Sequence, residues 1–267
     1  MSSGADEHPG WWGRPVAETR WVLEAWRLSV DPLFLHPSGV PRGDGRPVVL
    51  VPGFLAGDQT LSALALWLRR LGYRPSVAGF ITNTDCSDRA YDRVLRAVRR
   101  AHDRHGRRVA IIGHSRGGHY VRALAADHPE VVSHAVSVGS DLNGMLGISI
   151  PTQAAVTGTR LALGALGRGR RPGCFTLFCD CPFAQAFRAP ADPAVRLTSI
   201  YSRGDGVVEW EGCVTPGATN VEVTGSHVGL IVNRKVYRAI ATALAEPELD
   251  LAPSREPEPA PAPGRAG

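Results

Sequence analysis

The chain has 267 residues, of which 43% are hydrophobic, and these values are typical of a globular protein with one sizeable core. Its 30 basic and 25 acidic residues leave a net charge of +5, but the basic residues are dispersed among acidic ones and do not form a patch. This dispersal argues against nucleic-acid binding, and no apolar stretch approaches the roughly 18 to 20 residues of a membrane span.

An N-terminal extension, residues 1–45, is predicted to be helical and rich in tryptophan. Four of the six tryptophans fall in the first 26 residues, and apolar side chains recur at helical spacing from about Val16 to Val30. We expect this helix to dock on the main domain. Contact with a lipid interface is the alternative, because tryptophan favours such boundaries.

Between residues 46 and 245, short apolar runs alternate with segments of helical periodicity. Solid apolar runs are typical of strands that are buried on both faces. The alternation predicts an α/β fold with a mostly parallel central sheet flanked by helices. The predicted strands cover residues 47–51, 76–80, 108–112, 131–138, 196–201 and 220–223.

Residues 141–195 interrupt this alternation, because 55 residues separate two predicted strands where a crossover of about 20 to 30 would suffice. We expect a lid-like insertion here, whose leucines and phenylalanines could cover an acyl-binding cleft. The last segment, residues 246–267, holds six of the 21 prolines and five acidic residues. It is predicted to be a disordered tail, since it cannot bury enough apolar surface to offset the entropy of ordering.

The motif Gly113-His114-Ser115-Arg116-Gly117 lies between a predicted strand and a predicted helix. A sharp turn at such a junction strains the middle residue and leaves no room for side chains two positions before and after it, which accounts for the two glycines. The turn presents the Ser115 hydroxyl at a helix N-terminus, where free N–H groups favour negative charge. Ser115 is therefore the predicted nucleophile.

A serine nucleophile needs a histidine base and an acid that orients this base. Asp205 follows the strand at 196–201, and His227 follows the strand at 220–223, so the chain order is serine, acid, histidine. We predict that Asp205 and His227 complete the catalytic triad. Asp141, which follows the strand at 131–138, is the alternative acid.

Acyl transfer also needs two N–H donors aimed at the developing oxyanion. The backbone amide of Arg116, directly after the nucleophile, is the first predicted donor. The loop after the first strand supplies the second, with the amide of Phe54 as first choice and that of Leu55 as second. Leu55 and His114 are also expected to contact the substrate.

Four motifs together resemble those of the α/β-hydrolase family, in its bacterial lipase and esterase branch: Val-Pro-Gly-Phe at 51–54, the elbow at 113–117, Ser-Arg-Gly-Asp-Gly-Val-Val at 202–208 and Gly-Ser-His at 225–227. The resemblance covers about residues 46–245. It implies the α/β-hydrolase fold and a serine hydrolase of carboxylic esters that works through an acyl-enzyme, without metal or cofactor, on a small-molecule ester or lipid.

Two positions depart from the family pattern. Pro52 stands where lipases commonly carry histidine, so the oxyanion loop needs other support. Arg116 replaces the more frequent Gln or Met and is expected to add a charge beside the site. Thioesterase or acyltransferase chemistry on the same triad is an alternative function, and a non-catalytic binding protein on this fold is a further one that an intact triad disfavours.

Five cysteines are too few for a disulfide scaffold in a chain of this length. Zinc binding by Cys174, Cys179, Cys181 and Cys213 is disfavoured, because their spacing is not a recognised ligand pattern. A disulfide joining Cys213 to Cys179 or Cys181 is the alternative, and Cys86 is expected to be a free thiol. Without a recognisable secretory signal, a cytoplasmic location is the default expectation, to be replaced by secretion if that disulfide exists.

Overall fold

The structure is a computed structural model that describes residues 18–144, 147–165 and 180–251. Six strands form one sheet in the order β2-β1-β3-β4-β5-β6, and all neighbouring strands are parallel. This arrangement confirms the predicted parallel sheet of an α/β fold. The strands are β1 (Pro47–Val51), β2 (Arg74–Val77), β3 (Val109–His114), β4 (Val132–Val138), β5 (Arg196–Ser202) and β6 (Thr219–Val223).

Helices cover both faces of the sheet. They are α1 (Trp21–Ser29), α2 (Pro32–Leu35), α3 (Ser62–Leu71), α4 (Ser87–His105), α5 (Arg116–Asp127), α6 (Ile150–Ala165), α7 (Pro182–Arg188), α8 (Trp210–Cys213) and α9 (Arg234–Ala245), with 3-10 turns at Asp58–Leu61 and Val228–Val232. Among the described residues, none of these helices has the length and apolar character needed to cross a bilayer.

Two apolar layers enclose the central strands. Every residue of β1, β3 and β4 is buried, so these strands do not alternate between buried apolar and exposed polar residues, and the few polar residues of β4, such as His134, are buried too. One layer contains Tyr120 and Phe183 from α5 and α7, and the other contains Trp67 and Tyr237 from α3 and α9. Packing on both faces therefore fixes the positions of the strand ends, from which the loops of the site begin.

Several predicted element boundaries differ from the structure by a few residues, and two of these differences have a clear physical reason. The strand predicted at 76–80 lies at 74–77. It is the outermost strand of the sheet, so its residues are exposed or only partly buried and its apolar pattern is weak. The helix after the Ser115 motif, which the periodicity of the sequence predicts only from about Tyr120, begins at Arg116. Two of its first residues are glycines, because a Cβ at Gly117 would lie 2.3 Å from the carbonyl oxygen of Val51, and glycine lowers the helical signal.

Part of the predicted insertion belongs to the core. Phe183 and Phe187 on α7 are 1% and 2% exposed and pack in the layer that contains α5, so they do not line an open cleft. The insertion residues 145–146 and 166–179, which include Cys174 and Cys179, lie outside the described residues. Cys213 is a buried free thiol whose Sγ lies 3.8 Å from the carbonyl oxygen of Glu209, so it forms no disulfide within the described residues, and the alternative partner Cys179 lies outside them.

The first and the last described segments contact the body of the protein. Helix α1 packs against the turn at Val228–Val232, while residues 1–17, with Trp11 and Trp12, lie outside the described residues. Residues 246–249, the first of the predicted tail, bind arginines at the amino ends of the strands. The boundary of the tail therefore falls after them, and the disorder predicted for 252–267 concerns residues that the structure does not describe.

Candidate active site

The predicted triad residues follow three strands of the sheet. Ser115 comes directly after β3, Asp205 comes after β5 and His227 comes after β6. Because the carboxyl ends of parallel strands meet at one edge, this topology brings residues separated by more than 100 positions to the same place. We call this edge the carboxyl edge and the opposite one the amino edge.

Ser115 adopts the strained turn that the motif predicts. Its φ of 51° and ψ of −126° lie outside the regions that side chains favour. Gly113 is required beside it, because a Cβ at this position would lie 2.4 Å from the backbone of Gly117. The sharp turn between β3 and α5 is thus the expected strand-turn-helix elbow, and it presents a half-buried serine at the start of a helix.

Asp205 and His227 form a buried pair. The Nδ1 atom of His227 lies 2.7 Å from Oδ2 of Asp205, and the two side chains are 6% and 2% exposed. The other carboxylate oxygen, Oδ1, accepts hydrogen bonds from the backbone N–H groups of Val207 and Val208, both at 2.8 Å. These bonds fix the carboxylate, so that Nδ1 of His227 donates to it and Nε2 is left as the proton acceptor.

The pKa of His227 reflects two opposing effects. Burial is the largest single effect and disfavours the charged ring, but the charge and hydrogen bond of Asp205, with a smaller contribution from Glu18, outweigh it and raise the pKa of His227. The site therefore stabilises an imidazolium, which is what a base must become when it takes a proton from serine.

Asp141, the alternative acid, has a different environment. Its carboxylate accepts backbone hydrogen bonds from Asn143, Gly144 and Gly147 at 2.7 to 3.0 Å, at the start of the insertion. Burial raises its pKa despite these bonds. The carboxylate that meets His227 is that of Asp205, so the geometry favours Asp205 as the acid.

The loop after β1 lies against Ser115, as the predicted oxyanion loop should. A Cβ placed on Gly53 would lie 3.0 Å from Cβ of Ser115. Leu55 has a φ of 60°, and Ser115 is the one other non-glycine residue with positive φ in the described part of the chain. The backbone N–H groups of Phe54 and Leu55, the two candidates for the second oxyanion donor, donate to no described residue.

Asn83, which sequence reasoning missed, supports this loop at both ends. Its side-chain Nδ2 donates to the carbonyl oxygen of Pro52, and its backbone N–H donates to that of Ala56, each at 2.8 Å. Asn83 is fully buried. It supplies the support that the loop needs where Pro52 replaces histidine.

The charge that the sequence predicts beside the site is buried, because the side chain of Arg116 turns into the protein. It is 7% exposed, and its guanidinium donates to Asn83, to the carbonyl oxygen of Asp85 and to Ser87. It also lies over the ring of Phe54, 5.9 Å from the centroid. Arg116 thus holds Asn83 and the oxyanion loop in place, while its backbone amide begins α5 beside Ser115.

His114 lies beneath His227. Its Nε2 donates to the backbone oxygen of His227 at 3.0 Å, and the two rings are 4.8 Å apart. Burial, with the neighbouring charge of His227, lowers the pKa of His114 to about 3, so its ring is neutral. This contact supports the His227 loop; the substrate contacts of His114 and Leu55 remain predictions. Leu55 is 54% exposed.

Two glutamates near the N-terminus also contact the site, and nothing in their sequence context indicates this. Glu18 and Glu24 accept hydrogen bonds from the loops that carry Asp205 and His227. Both lie in a segment whose tryptophans dominate the pattern, and their partners are about 200 positions away. In the described part of the chain, the site included, no group of three or more His, Cys, Asp or Glu side chains is arranged to hold a metal ion.

Comparisons with known proteins concern the same sheet and loops. Residues 46–157 match the model of a family described as having the alpha/beta hydrolase fold. The structure of the lipase BlEst2 of Bacillus licheniformis, in its mature form, is similar to this chain, with 16% sequence identity and a TM-score of 0.56. The match covers 77% of this chain and 94% of the lipase chain. No protein with curated function matches the sequence.

Two further solved structures are similar. A soluble variant of monoglyceride lipase from Saccharomyces cerevisiae is 14% identical with a TM-score of 0.51, and covers 77% of this chain and 89% of its own. A structure from the metagenome-derived lipolytic enzymes LipS and LipT is 15% identical with a TM-score of 0.51, and covers 76% of this chain and 95% of its own. At identities this low, the structural similarity shows a shared fold.

Proposed function

The chain has the α/β-hydrolase fold, and on that premise we propose that it is a serine hydrolase that cleaves carboxylic ester bonds through an acyl-enzyme. One observation carries the proposal: the buried pair of Asp205 and His227, 2.7 Å apart, on the same sheet edge as a serine in a strained elbow. Three similar structures bear the names lipase or lipolytic enzyme, which supports an ester as the substrate class.

In the proposed reaction, the Oγ of Ser115 attacks the acyl carbon while its proton passes to Nε2 of His227. Asp205 holds the ring and stabilises the imidazolium. The tetrahedral intermediate collapses when the alcohol leaves with the proton from His227, and the acyl group remains on Ser115. Water then attacks the acyl-enzyme by the same proton path, which releases the acid and restores the serine.

The oxyanion of both tetrahedral intermediates would be stabilised by the backbone amides of Arg116 and of Phe54, with Leu55 as the second choice for the latter. Donors that are already in place require no reorganisation during the reaction, and each is worth about 10² to 10³ in kcat. The bonds of Asn83 to both ends of the loop support this role, because they fix the loop before substrate binds.

Labelling with a fluorophosphonate, followed by rates on p-nitrophenyl esters of increasing chain length, tests the proposal. We expect the label on Ser115, ester turnover, and loss of both in Ser115→Ala. A wild-type protein that is folded but takes no label would contradict the proposal and favour a binding protein. Faster turnover of a matched thioester, or acyl transfer to an added alcohol, would instead identify a thioesterase or an acyltransferase.

The exposed apolar side chains support contact with a lipid interface. On α1, Trp21, Val22 and Trp26 are 46%, 58% and 62% exposed, and Leu55 is exposed on the oxyanion loop itself. Tryptophan on an exposed helix face is suited to a lipid boundary. We expect Trp26→Glu to reduce sedimentation with phosphatidylcholine vesicles, while Leu66→Glu, an exposed apolar residue of α3, serves as the control. Equal sedimentation of both variants and the wild type would contradict this contact.

A further inference from the structure

The segment before and within α1 binds the two loops that carry the proposed acid and base. Oε1 of Glu18 accepts from the backbone N–H of His227 at 2.9 Å and from that of Gly206 at 3.0 Å, and its Oε2 accepts from Val228 at 2.9 Å. One carboxylate thus joins the residue after Asp205 to His227 itself, across the ends of two different strands.

Glu24 makes a second attachment one residue earlier in the His227 loop. Its Oε2 accepts from the hydroxyl of Ser226 at 2.7 Å, and its Oε1 accepts from the backbone N–H of Ser226 at 3.1 Å. The loop is shaped around this side chain, because a Cβ on Gly229 would lie 1.4 Å from Oε2 of Glu24. Glycine at 229 is therefore required for Glu24 to reach Ser226.

These bonds satisfy donors that the loop cannot satisfy internally. The N–H groups of Ser226, His227 and Val228 lie at the start of the 3-10 turn Val228–Val232, where a helical turn leaves its first donors without partners. Ser226 and His227 are 1% and 5% exposed, so an unpaired N–H at either would be costly. The glutamates from the chain's other end fill this role, and they hold the loop in one conformation.

We propose that Glu18 is a positioning residue of the hydrolase, which fixes the backbone of His227 relative to the Asp205 loop, with Glu24 anchoring α1 beside it. This inference rests on the proposed function. The N-terminal segment would then be part of the catalytic apparatus, although it lies outside the residues 46–157 that match the family.

Three titratable groups face His227: Asp205 from the loop after β5, Glu18 from the N-terminal segment and His114 from β3. His114 is neutral at working pH, since its pKa is about 3. The charge of Glu18 adds to that of Asp205 in raising the pKa of His227. Removing that charge should lower the pKa of His227, so the neutral base would persist to lower pH.

The decisive experiment compares Glu18→Gln with Glu130→Gln in the full chain. Glu130→Gln is the control, because it removes the same carboxylate charge at an exposed position elsewhere on the surface. For Glu18→Gln we expect kcat to fall about tenfold with KM nearly unchanged, because a small misplacement of a catalytic group is costly. We also expect the acidic limb of kcat/KM to move to lower pH by about half a unit. Glu130→Gln should match the wild type in all three.

The pH limb does not depend on the fraction of folded protein, so the test survives a loss of stability in Glu18→Gln. Wild-type values of kcat and of the acidic limb in Glu18→Gln would overturn the positioning role while leaving the hydrolase intact. A wild-type protein that neither turns over esters nor takes the label at Ser115 would overturn the proposed function, and the positioning role with it.

Discussion

At the carboxyl edge of the sheet, Nδ1 of His227 lies 2.7 Å from Asp205, while at the amino edge Nδ1 of His134 lies 2.9 Å from the guanidinium of Arg46. The two histidines are 5% and 1% exposed. Burial opposes protonation of both, but the pKa of His227 is raised by Asp205, whereas burial and the charge of Arg46 lower the pKa of His134 to about 4. The facing charge, more than burial, decides which histidine can act as a base.

The amino edge uses its charges to hold the chain end. Arg46 donates to the carbonyl oxygen of Leu244 at 3.0 Å, and Arg108 donates to that of Leu249 at 2.8 Å. Arg196 pairs with the carboxylate of Glu246 at 2.8 Å. These contacts involve backbone carbonyls and a partly exposed carboxylate, and they hold the last turn of α9 and the residues after it without creating a base. A buried histidine therefore has a structural role at the amino edge, where it faces Arg46, and a proposed catalytic role at the carboxyl edge, where it faces Asp205.

Removing the facing carboxylate at the carboxyl edge should have the largest effect. In Asp205→Asn the ring loses the partner that fixes its tautomer and stabilises its charge, and we expect kcat to fall about 10³- to 10⁴-fold. Steady-state ester hydrolysis measures this. Asp141→Asn is the control, because its carboxylate binds backbone N–H groups of the insertion. A larger loss in Asp141→Asn than in Asp205→Asn would make Asp141 the acid.

Loosening the oxyanion loop should have an intermediate effect. Asn83→Asp keeps an oxygen for Arg116 but cannot donate to the carbonyl oxygen of Pro52, so we expect kcat to fall about tenfold to a hundredfold. The reaction of the variant with a fluorophosphonate should slow in parallel, because the tetrahedral adduct uses the same donors. Unchanged rates of both reactions would show that Asn83 has no part in holding the loop.

The smallest effects concern stability against pH, where the two edges should respond with opposite signs. The lowered pKa of His134 contributes stability that is present above about pH 6.5 and is lost as the pH falls toward 4. At pH 5 the free energy of unfolding should already be lower by about 2 kcal/mol than at neutral pH. The raised pKa of His227 contributes stability that is present below about pH 6.5 and is lost as the pH rises through its folded value.

Urea unfolding of His134→Gln and His227→Gln at pH 5 and pH 7.5 measures the two contributions. Relative to the wild type, His134→Gln should lose less stability on going from pH 7.5 to pH 5, and His227→Gln should lose more. Changes of the same sign in both variants would contradict the comparison between the two edges.

Local patterns allowed much of the fold and the centre of the site to be predicted. The Ser115 elbow is visible in sequence because its strain, its glycines and the flanking elements are all local. Asp205 and His227 could be placed because each follows a strand of a parallel sheet. Their pairing at 2.7 Å depends on the sheet order, which the strand pattern alone does not determine.

The supporting residues could not be predicted in this way. Glu18 and Glu24 bind loops about 200 positions away, and a glutamate near an exposed helix has the same appearance in sequence whether it is solvated or bonded. The sequence places the charge of Arg116 beside the site but does not reveal its partners, because the backbone carbonyls at 83 and 85 that accept its hydrogen bonds are about 30 positions away. Partners of this kind depend on tertiary structure.

Trapping the acyl-enzyme is the most direct test of the central claim that the carboxyl edge performs acyl transfer through Ser115. The wild-type protein is mixed with a p-nitrophenyl ester, quenched in acid within the first turnovers and digested for mass spectrometry. We predict that the peptide containing Ser115 gains the mass of the acyl group and that this gain is absent from Ser115→Ala. Ester hydrolysis without an acyl group on Ser115, or with the acyl group on another residue, would contradict the claim.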